Sequence, residues 1–227
     1  MFIQIALIQF NAAEQSMKKI GLWCLGLCWA GLVGAAELSV DFTFSADDVE
    51  LVAAGEYTVV GLAGGSRVVD EAGAPSIPAK FANVLILSGA QNVSVSASGG
   101  WTLLAEGITP YPAQPRSPKS KPRLPFVPAN DRYASAEAWP AETATFQGDQ
   151  DMQGYRFVSV RVNPLAYVGA EKKLYLREKV TVTVTYDAPV AAKSILPKQA
   201  SLFGPLVDSL VVNPEAEAQF APAVKAV

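Results

Sequence analysis

Val180-Thr181-Val182-Thr183-Val184-Thr185-Tyr186 is the stretch that decides the fold. An apolar side chain stands at every second position with a threonine between each pair, the period of a strand with one face buried and the other in water. β-Branched residues on both faces suit a pleated backbone and disfavour a helix. The pattern recurs upstream. Leu38, Val40, Phe42 and Phe44 alternate with Ser39, Asp41 and Thr43; Val93 and Val95 alternate with serines; Val158, Val160 and Val162 alternate with Phe157, Ser159 and Arg161. Phe81 to Leu87 is a more continuous apolar run, as expected of a strand covered on both faces. Gly64-Gly65-Ser66 and Ser98-Gly99-Gly100 read as turns between runs. Many short strands with little helix predict an all-β fold over residues 37–200, a two-sheet antiparallel β-sandwich of jelly-roll type with a short C-terminal helix. Phe42, Leu85, Leu87, Val93, Val160, Leu174, Val182 and Val184 are its expected core.

Composition narrows the function classes. The 227 residues are 50% hydrophobic and 17% charged, with a formal net charge of −3, so there is ample material for a core and no basic excess of the kind nucleic-acid binding needs. There is no histidine, and the two cysteines, Cys24 and Cys28, both lie in the apolar run Ile20 to Val33. That run follows Met17-Lys18-Lys19 and precedes Gly34-Ala35-Ala36, the layout of a secretory signal peptide over residues 17–36 cleaved near Ala35 or Ala36. It is short for a membrane span, and a polar alternating segment follows at once, so no stable span is expected after cleavage. Trp23 and Leu27, directly before the cysteines, are too large for a lipoprotein site. Residues 1–16 lie upstream of the signal and read either as an over-extended gene start or as a longer n-region. The expected location is secreted, periplasmic or cell-surface.

Without histidine or a mature cysteine, Ser-His-Asp and Cys-His catalysis and ordinary zinc sites are out of reach. No nucleotide-binding fingerprint occurs, and no cofactor is expected. Asp47-Asp48 and the Asp149/Asp151 pair read as charged turns rather than calcium loops. The chain is therefore read as non-enzymatic, with no catalytic residue and no metal.

Two segments depart from the strand texture. Pro110, Pro112, Pro115, Pro118, Pro122, Pro125 and Pro128 surround Arg116, Lys119, Lys121 and Arg123. Proline lacks the ladder donor and fixes φ, which predicts an extended basic excursion on the surface, either a solvated connection or a binding loop. In the tail of residues 201–227, Phe203, Leu206, Val207, Leu210 and Val211 recur at helical spacing with Pro205 in the first turn. This helix either packs on its own domain or docks a downstream one. From Asn213 onward the Ala/Glu/Pro-rich composition predicts disorder.

From Gly73-Ala74-Pro75-Ser76-Ile77-Pro78 onward the chain resembles the N-terminal propeptides of gingipain-type cysteine peptidases. That family carries a Gly-x-Pro-x-Leu-Pro element followed by an apolar strand and a Val-x-Val strand, here Phe81 to Leu87 and Val93 to Val95. Pro125-Phe126-Val127, Trp139-Pro140-Ala141-Glu142, Asn163-Pro164-Leu165-Ala166-Tyr167 and the Leu174 to Tyr186 region follow in the family's order, so the resemblance spans Gly73 to Asn213. It marks Gly73, Pro75, Pro78, Pro164 and Tyr167 as structural motif positions. What it implies is a non-catalytic prodomain that assists the folding of a caspase-like cysteine peptidase and holds it latent, in cis or in trans. In members acting on basic residues, a basic side chain on a surface loop enters the primary specificity pocket. Aligned on Pro125-Phe126-Val127, that loop falls on Arg116 to Lys119, which makes Arg116 and Lys119 the candidates ahead of Lys121 and Arg123. In the family the Ser201 to Asn213 region leads into the peptidase domain, whereas this sequence stops at Val227, as a fragment of a longer precursor or as a stand-alone remnant. A secreted adhesion or carbohydrate-binding module and a structural surface module are the competing readings.

Overall fold

Where the sequence alternates, it pairs. In the computed structural model, which describes residues 35–116, 124–188, 194–220 and 222–224, the strands are β1 (Ala35–Thr43), β2 (Val49–Ala54), β3 (Tyr57–Leu62), β4 (Ser66–Arg67), β5 (Pro78–Ile86), β6 (Gln91–Ser98), β7 (Thr102–Glu106), β8 (Ala138–Trp139), β9 (Ala144–Met152), β10 (Tyr155–Val162), β11 (Leu165–Val168), β12 (Lys173–Leu176), β13 (Lys179–Asp187), β14 (Ser194–Ile195) and β15 (Ala223–Val224). Helices α1 (Pro197–Leu210) and α2 (Glu217–Phe220) lie near the C-terminus. The strands form antiparallel sheets in the orders β1-β13-β6, β4-β5-β10-β9 and β7-β12-β11-β8, with a β2-β3 hairpin and a short parallel β14-β15 pair.

The deciding stretch is β13, the centre of its sheet. Val180, Val182 and Val184 stand opposite Phe42, Val40 and Leu38 of β1, and Val184 also faces Val95 of β6. Their inner side packs face to face on Val84 and Ile86 of β5 and on Val158, Val160 and Val162 of β10. Each buried valine contributes about 1.5–3 kcal/mol relative to exposure, so this layer is a main source of stability. The intervening threonines face outward, as their polarity requires. Thr181 Oγ1 donates to Asp41 Oδ1 at 2.6 Å, and Lys179 Nζ lies 2.7 Å from Asp41 Oδ2. Hydrogen bonds from Lys179 and then Thr181 hold the Asp41 carboxyl below its ordinary range.

β5 and β10 carry a second core on their reverse side. Leu85, Tyr155 and Phe157 pack there against Val207 and Val211 of the α1 region, with Ile195 and Phe220. The two-sided cover expected for Phe81 to Leu87 thus holds at Val84, Leu85 and Ile86, each fully buried, and fails at Phe81, which is 46% exposed. Cover ends at Asn83, whose Nδ2 donates to the Leu210 carbonyl at the last residue of α1. A third cluster of Val60, Ile77, Leu165, Tyr167, Leu174 and Leu176 fills the space beside β11 and β12. Leu85 and Leu174 are therefore core residues outside the layer between the first two sheets.

The C-terminal region differs from its sequence reading in two respects. α1 begins at Pro197, where the Gln199 side chain accepts the Leu196 N–H at 3.0 Å, so Pro205 lies inside the helix rather than in its first turn. Its missing N–H removes the bond to the Ser201 carbonyl. The helix is held instead by its buried side, Gly204 and Val207. Nor are the described residues from Asn213 onward, 213–220 and 222–224, without structure. Asn213 is 3% exposed, a 3₁₀ turn follows at Pro214–Ala216, and β15 lies beside β14. Composition is a statistical guide; here one amide with two backbone partners overrides it.

One buried charge stands apart. Arg177 is 2% exposed and makes no ion pair among the described residues. Its Nη1 donates to the Asn163 carbonyl at 2.9 Å, and the guanidinium sits 4.7 Å from the Trp101 ring centroid. Burial lowers its pKa to about 10.

Candidate functional site

The basic, proline-rich segment is anchored by a ladder that its own prolines permit. Proline cannot donate, but Pro110 and Pro112 alternate with Tyr111 and Ala113, which can. Tyr111 N–H donates to the Thr58 carbonyl at 2.8 Å, and Ala113 N–H donates to the Ala74 carbonyl at 2.8 Å. In return Ser76 N–H reaches the Tyr111 carbonyl at 2.9 Å and Gly73 N–H reaches the Ala113 carbonyl at 2.8 Å. Pro110, Pro112 and Ala113 are buried. The expected surface excursion therefore begins only after Ala113, because the proline spacing leaves every second donor free.

Gln114 then closes the base of the loop. Its Nε2 donates to the carbonyls of Pro112 at 3.0 Å and Val127 at 2.8 Å, while its Oε1 accepts the Val127 N–H at 2.9 Å. One side chain thus ties the outgoing strand to the returning one. Beside it, Asn130 N–H donates to the Gly73 carbonyl at 3.0 Å, and Asn130 Oδ1 accepts the Arg132 N–H at 3.1 Å to cap a 3₁₀ turn. Gly73 sits at φ +81°, and a Cβ there would lie 2.6 Å from the Pro128 carbonyl oxygen, so both dihedral and space demand glycine.

Aromatic side chains brace this root from beneath. Tyr133 hydroxyl donates to the Pro110 carbonyl at 2.6 Å and Tyr167 hydroxyl to the Ile108 carbonyl at 3.1 Å. Burial pushes both phenols above their ordinary range, and for Tyr133 the neighbouring Tyr167 and Tyr57 add to it, so both remain protonated donors at neutral pH. Trp139 Nε1 donates to the Pro75 carbonyl at 3.0 Å, with the Arg132 guanidinium 4.7 Å from the Trp139 ring centroid. Tyr57, Tyr111 and Phe126 form a ring cluster with centroids 5.6–6.3 Å apart, from which Phe126 emerges 52% exposed.

Of the residues singled out in the sequence, Gly73, Pro75 and Tyr167 come together at this root. Pro78 opens β5 opposite Arg67 of β4, and Pro164 accepts the Arg177 N–H at 2.7 Å at the β10–β11 corner. Arg116 is exposed just beyond the Gln114 clamp. Lys119, Lys121 and Arg123 lie outside the described residues. Asp48, Asp149 and Asp151 have local partners: Asp48 accepts from Ser45 N–H at 2.7 Å, Asp149 pairs with Arg156, and Asp151 accepts from Gly154 N–H at 3.0 Å. Gln114 and Asn130 carried no signal in the sequence, since each is defined by a backbone partner far along the chain.

The comparisons with known proteins agree with this architecture. The family described as Propeptide_C25 matches residues 40–219. The fold is similar to that of a chain in the complex of Porphyromonas gingivalis RgpB pro- and mature domains, with a TM-score of 0.63 and 18% identity, covering 79% of this chain and 92% of that one. It is also similar to a chain in a structure concerned with the zymogenic latency of gingipain K from Porphyromonas gingivalis, with a TM-score of 0.56 and 22% identity, covering 70% of this chain and 96% of that one. No curated protein matches the chain. Because the family match runs from within β1 into α2 and spans most of the chain, the chain belongs to Propeptide_C25, the propeptides of gingipain-type cysteine peptidases.

Proposed function

We propose that this chain is the non-catalytic prodomain of an exported gingipain-type cysteine endopeptidase, which assists the folding of its peptidase and holds it latent by presenting Arg116 or Lys119 to the primary specificity pocket. The observation that carries the reading is the clamped root: Gln114 and Val127 hold the two ends of a basic, proline-rich loop on a rigid sheet edge. Fixing both ends of a loop lowers the conformational entropy it loses on docking, which favours tight occupation of a cleft. Proline beside the basic residues, in Ser117-Pro118 and Lys121-Pro122, also hinders presentation of a scissile bond. The chain holds no histidine, and its cysteines are confined to Cys24 and Cys28, so the nucleophile and base belong to the partner. The similar structures, one a complex of pro- and mature domains and the other concerned with zymogenic latency, are in keeping with that partner.

The test is inhibition of the cognate peptidase supplied in trans. An Arg116→Ala/Lys119→Ala chain is expected to lose at least about tenfold in affinity, equivalent to about 1.4 kcal/mol. Unchanged inhibition by that folded variant would assign the loop to solvent. Export is read from Met17 to Ala36, and among the described residues no helix is long and apolar enough to cross a membrane. Mass spectrometry of the exported protein should find an N-terminus near Ala36 or Glu37; one retaining Trp23 would make the segment an anchor. A carbohydrate-binding role would call for a flat aromatic platform, whereas Trp101 and Tyr175 are tilted by 38° and Trp101 covers Arg177.

A further inference from the structure

The reverse face of the β5-β10 pair is covered only in part. α1 shields the row that pairs Leu85 with Phe157 and stops at Asn83. Beyond Asn83 the cross-strand row pairs Phe81 with Arg161, and Phe81 is left 46% exposed. Arg161 is not free: both Asp70 carboxylate oxygens accept from its Nη1 at 2.8 Å. Phe81 instead opens onto a groove of about 590 Å³ whose walls are Val68, Val69 and Pro115, with Ser66, Arg67 and Arg116 at its rim. Neither Arg67 nor Arg116 makes an ion pair among the described residues, and both are exposed. No carboxylate lines the groove. Two uncompensated guanidiniums beside a half-exposed phenylalanine form a recognition surface with a defined complement, an apolar side chain next to a carboxylate.

We infer that this groove docks a segment of the peptidase partner in which an apolar side chain packs on Phe81 and an adjacent Asp or Glu meets Arg67. The inference rests on the prodomain reading above. Continuity supports the choice of occupant, because Arg116 both lines the groove and begins the basic loop, so a partner engaged by the loop is brought over Phe81. The groove is then a second contact, one that selects the partner by its acidic segment rather than by its specificity pocket. Charge of this kind acts chiefly on the association rate and is screened by salt, whereas the phenylalanine contact acts on dissociation.

The experiment measures association of the full chain with the cognate peptidase at low and at physiological salt. Arg67→Glu is expected to weaken binding about tenfold, mainly through slower association with a reduced salt dependence, and Phe81→Ser about tenfold through faster dissociation. Arg67→Lys should retain most of the association rate. Both sites are exposed, and unchanged melting curves will confirm that the fold is intact. If Arg67→Glu and Phe81→Ser bind like the parent while the Arg116→Ala/Lys119→Ala chain does not, the groove faces solvent and the loop reading stands alone. If they lose affinity while the loop variant does not, the groove holds and the loop reading falls. A parent chain that does not bind the peptidase overturns both. A chain that self-associates in sedimentation, and loses this with Phe81→Ser, assigns the groove to a second copy and overturns the inference.

Discussion

Asn213→Ala should lower the melting temperature of this chain by about 6–12 °C. The Asn213 side chain stands in for a missing strand: its Oδ1 accepts the Leu85 N–H at 2.8 Å and its Nδ2 donates to the Leu85 carbonyl at 2.9 Å. Leu85 is fully buried, so truncation leaves a donor and an acceptor without partners where water has little access. Each such loss costs about 1–3 kcal/mol; with partial relaxation about 3 kcal/mol in total is expected, and for a domain of this size 1 kcal/mol moves the midpoint by about 2–4 °C. Asn213→Asp is the discriminating variant. It keeps an acceptor for the N–H but sets a carboxylate against the carbonyl, and should be at least as damaging as alanine. Hydrogen exchange at the Leu85 amide should accelerate in Asn213→Ala and less so in Asn213→Asp. Melting curves that superimpose on the parent would show that water substitutes for the amide.

The effect extends beyond one strand. Val212 N–H donates to the Asn83 carbonyl at 2.9 Å, so Val212 and Asn213 together fasten the end of α1 along the outer edge of β5. Loosening them uncovers Leu85, Tyr155 and Phe157, the reverse core of the central strands.

Gly73→Ala is the second large effect, and it links stability to the loop. At φ +81° an L-residue costs about 1–2 kcal/mol. The added Cβ would also lie 2.6 Å from the Pro128 carbonyl oxygen and 3.3 Å from Val127 Cγ1, so the returning limb of the loop must move. A total of about 2–4 kcal/mol follows. The displaced limb carries Val127, the residue that Gln114 grips, and the segment 115–126 should become more susceptible to limited proteolysis. Inhibition of the peptidase should weaken in parallel. Gly100→Ala is the control, since a Cβ there meets nothing within 4 Å, and it should leave both readouts unchanged. Parent-like melting and proteolysis for Gly73→Ala would mean that the loop root yields without loss.

What could be read from the amino-acid sequence was whatever depends on near neighbours. The period of two in Val180 to Tyr186 committed those residues to a half-buried strand wherever in the molecule it lay, because successive strand side chains point to opposite faces. The same argument located β1, β6 and β10, the helical spacing found α1, and the order of short motifs pointed to the family. The reading of Phe81 to Leu87 was right only where another element happens to cover it, and a strand cannot specify from its own residues how far a helix extends over it.

Tertiary structure decided the rest, and always for one reason: a polar group is satisfied by partners that sequence distance hides. Asn213 belongs to an Ala/Glu/Pro-rich tail by composition and to the β5 edge by hydrogen bonding, 128 residues away from Leu85. Gln114 is unremarked among prolines until Val127 returns to it. The prolines at positions 110 and 112 argued against a ladder, yet their alternation with Tyr111 and Ala113 leaves the donors that the Gly73 to Pro78 segment and β3 require. Arg67 was silent in the sequence because the absence of a nearby carboxylate can be seen only once the chain has folded. Periodicity determined which residues turn inward; only the folded chain determined which buried or exposed polar groups find one another, since that requires the full set of distances.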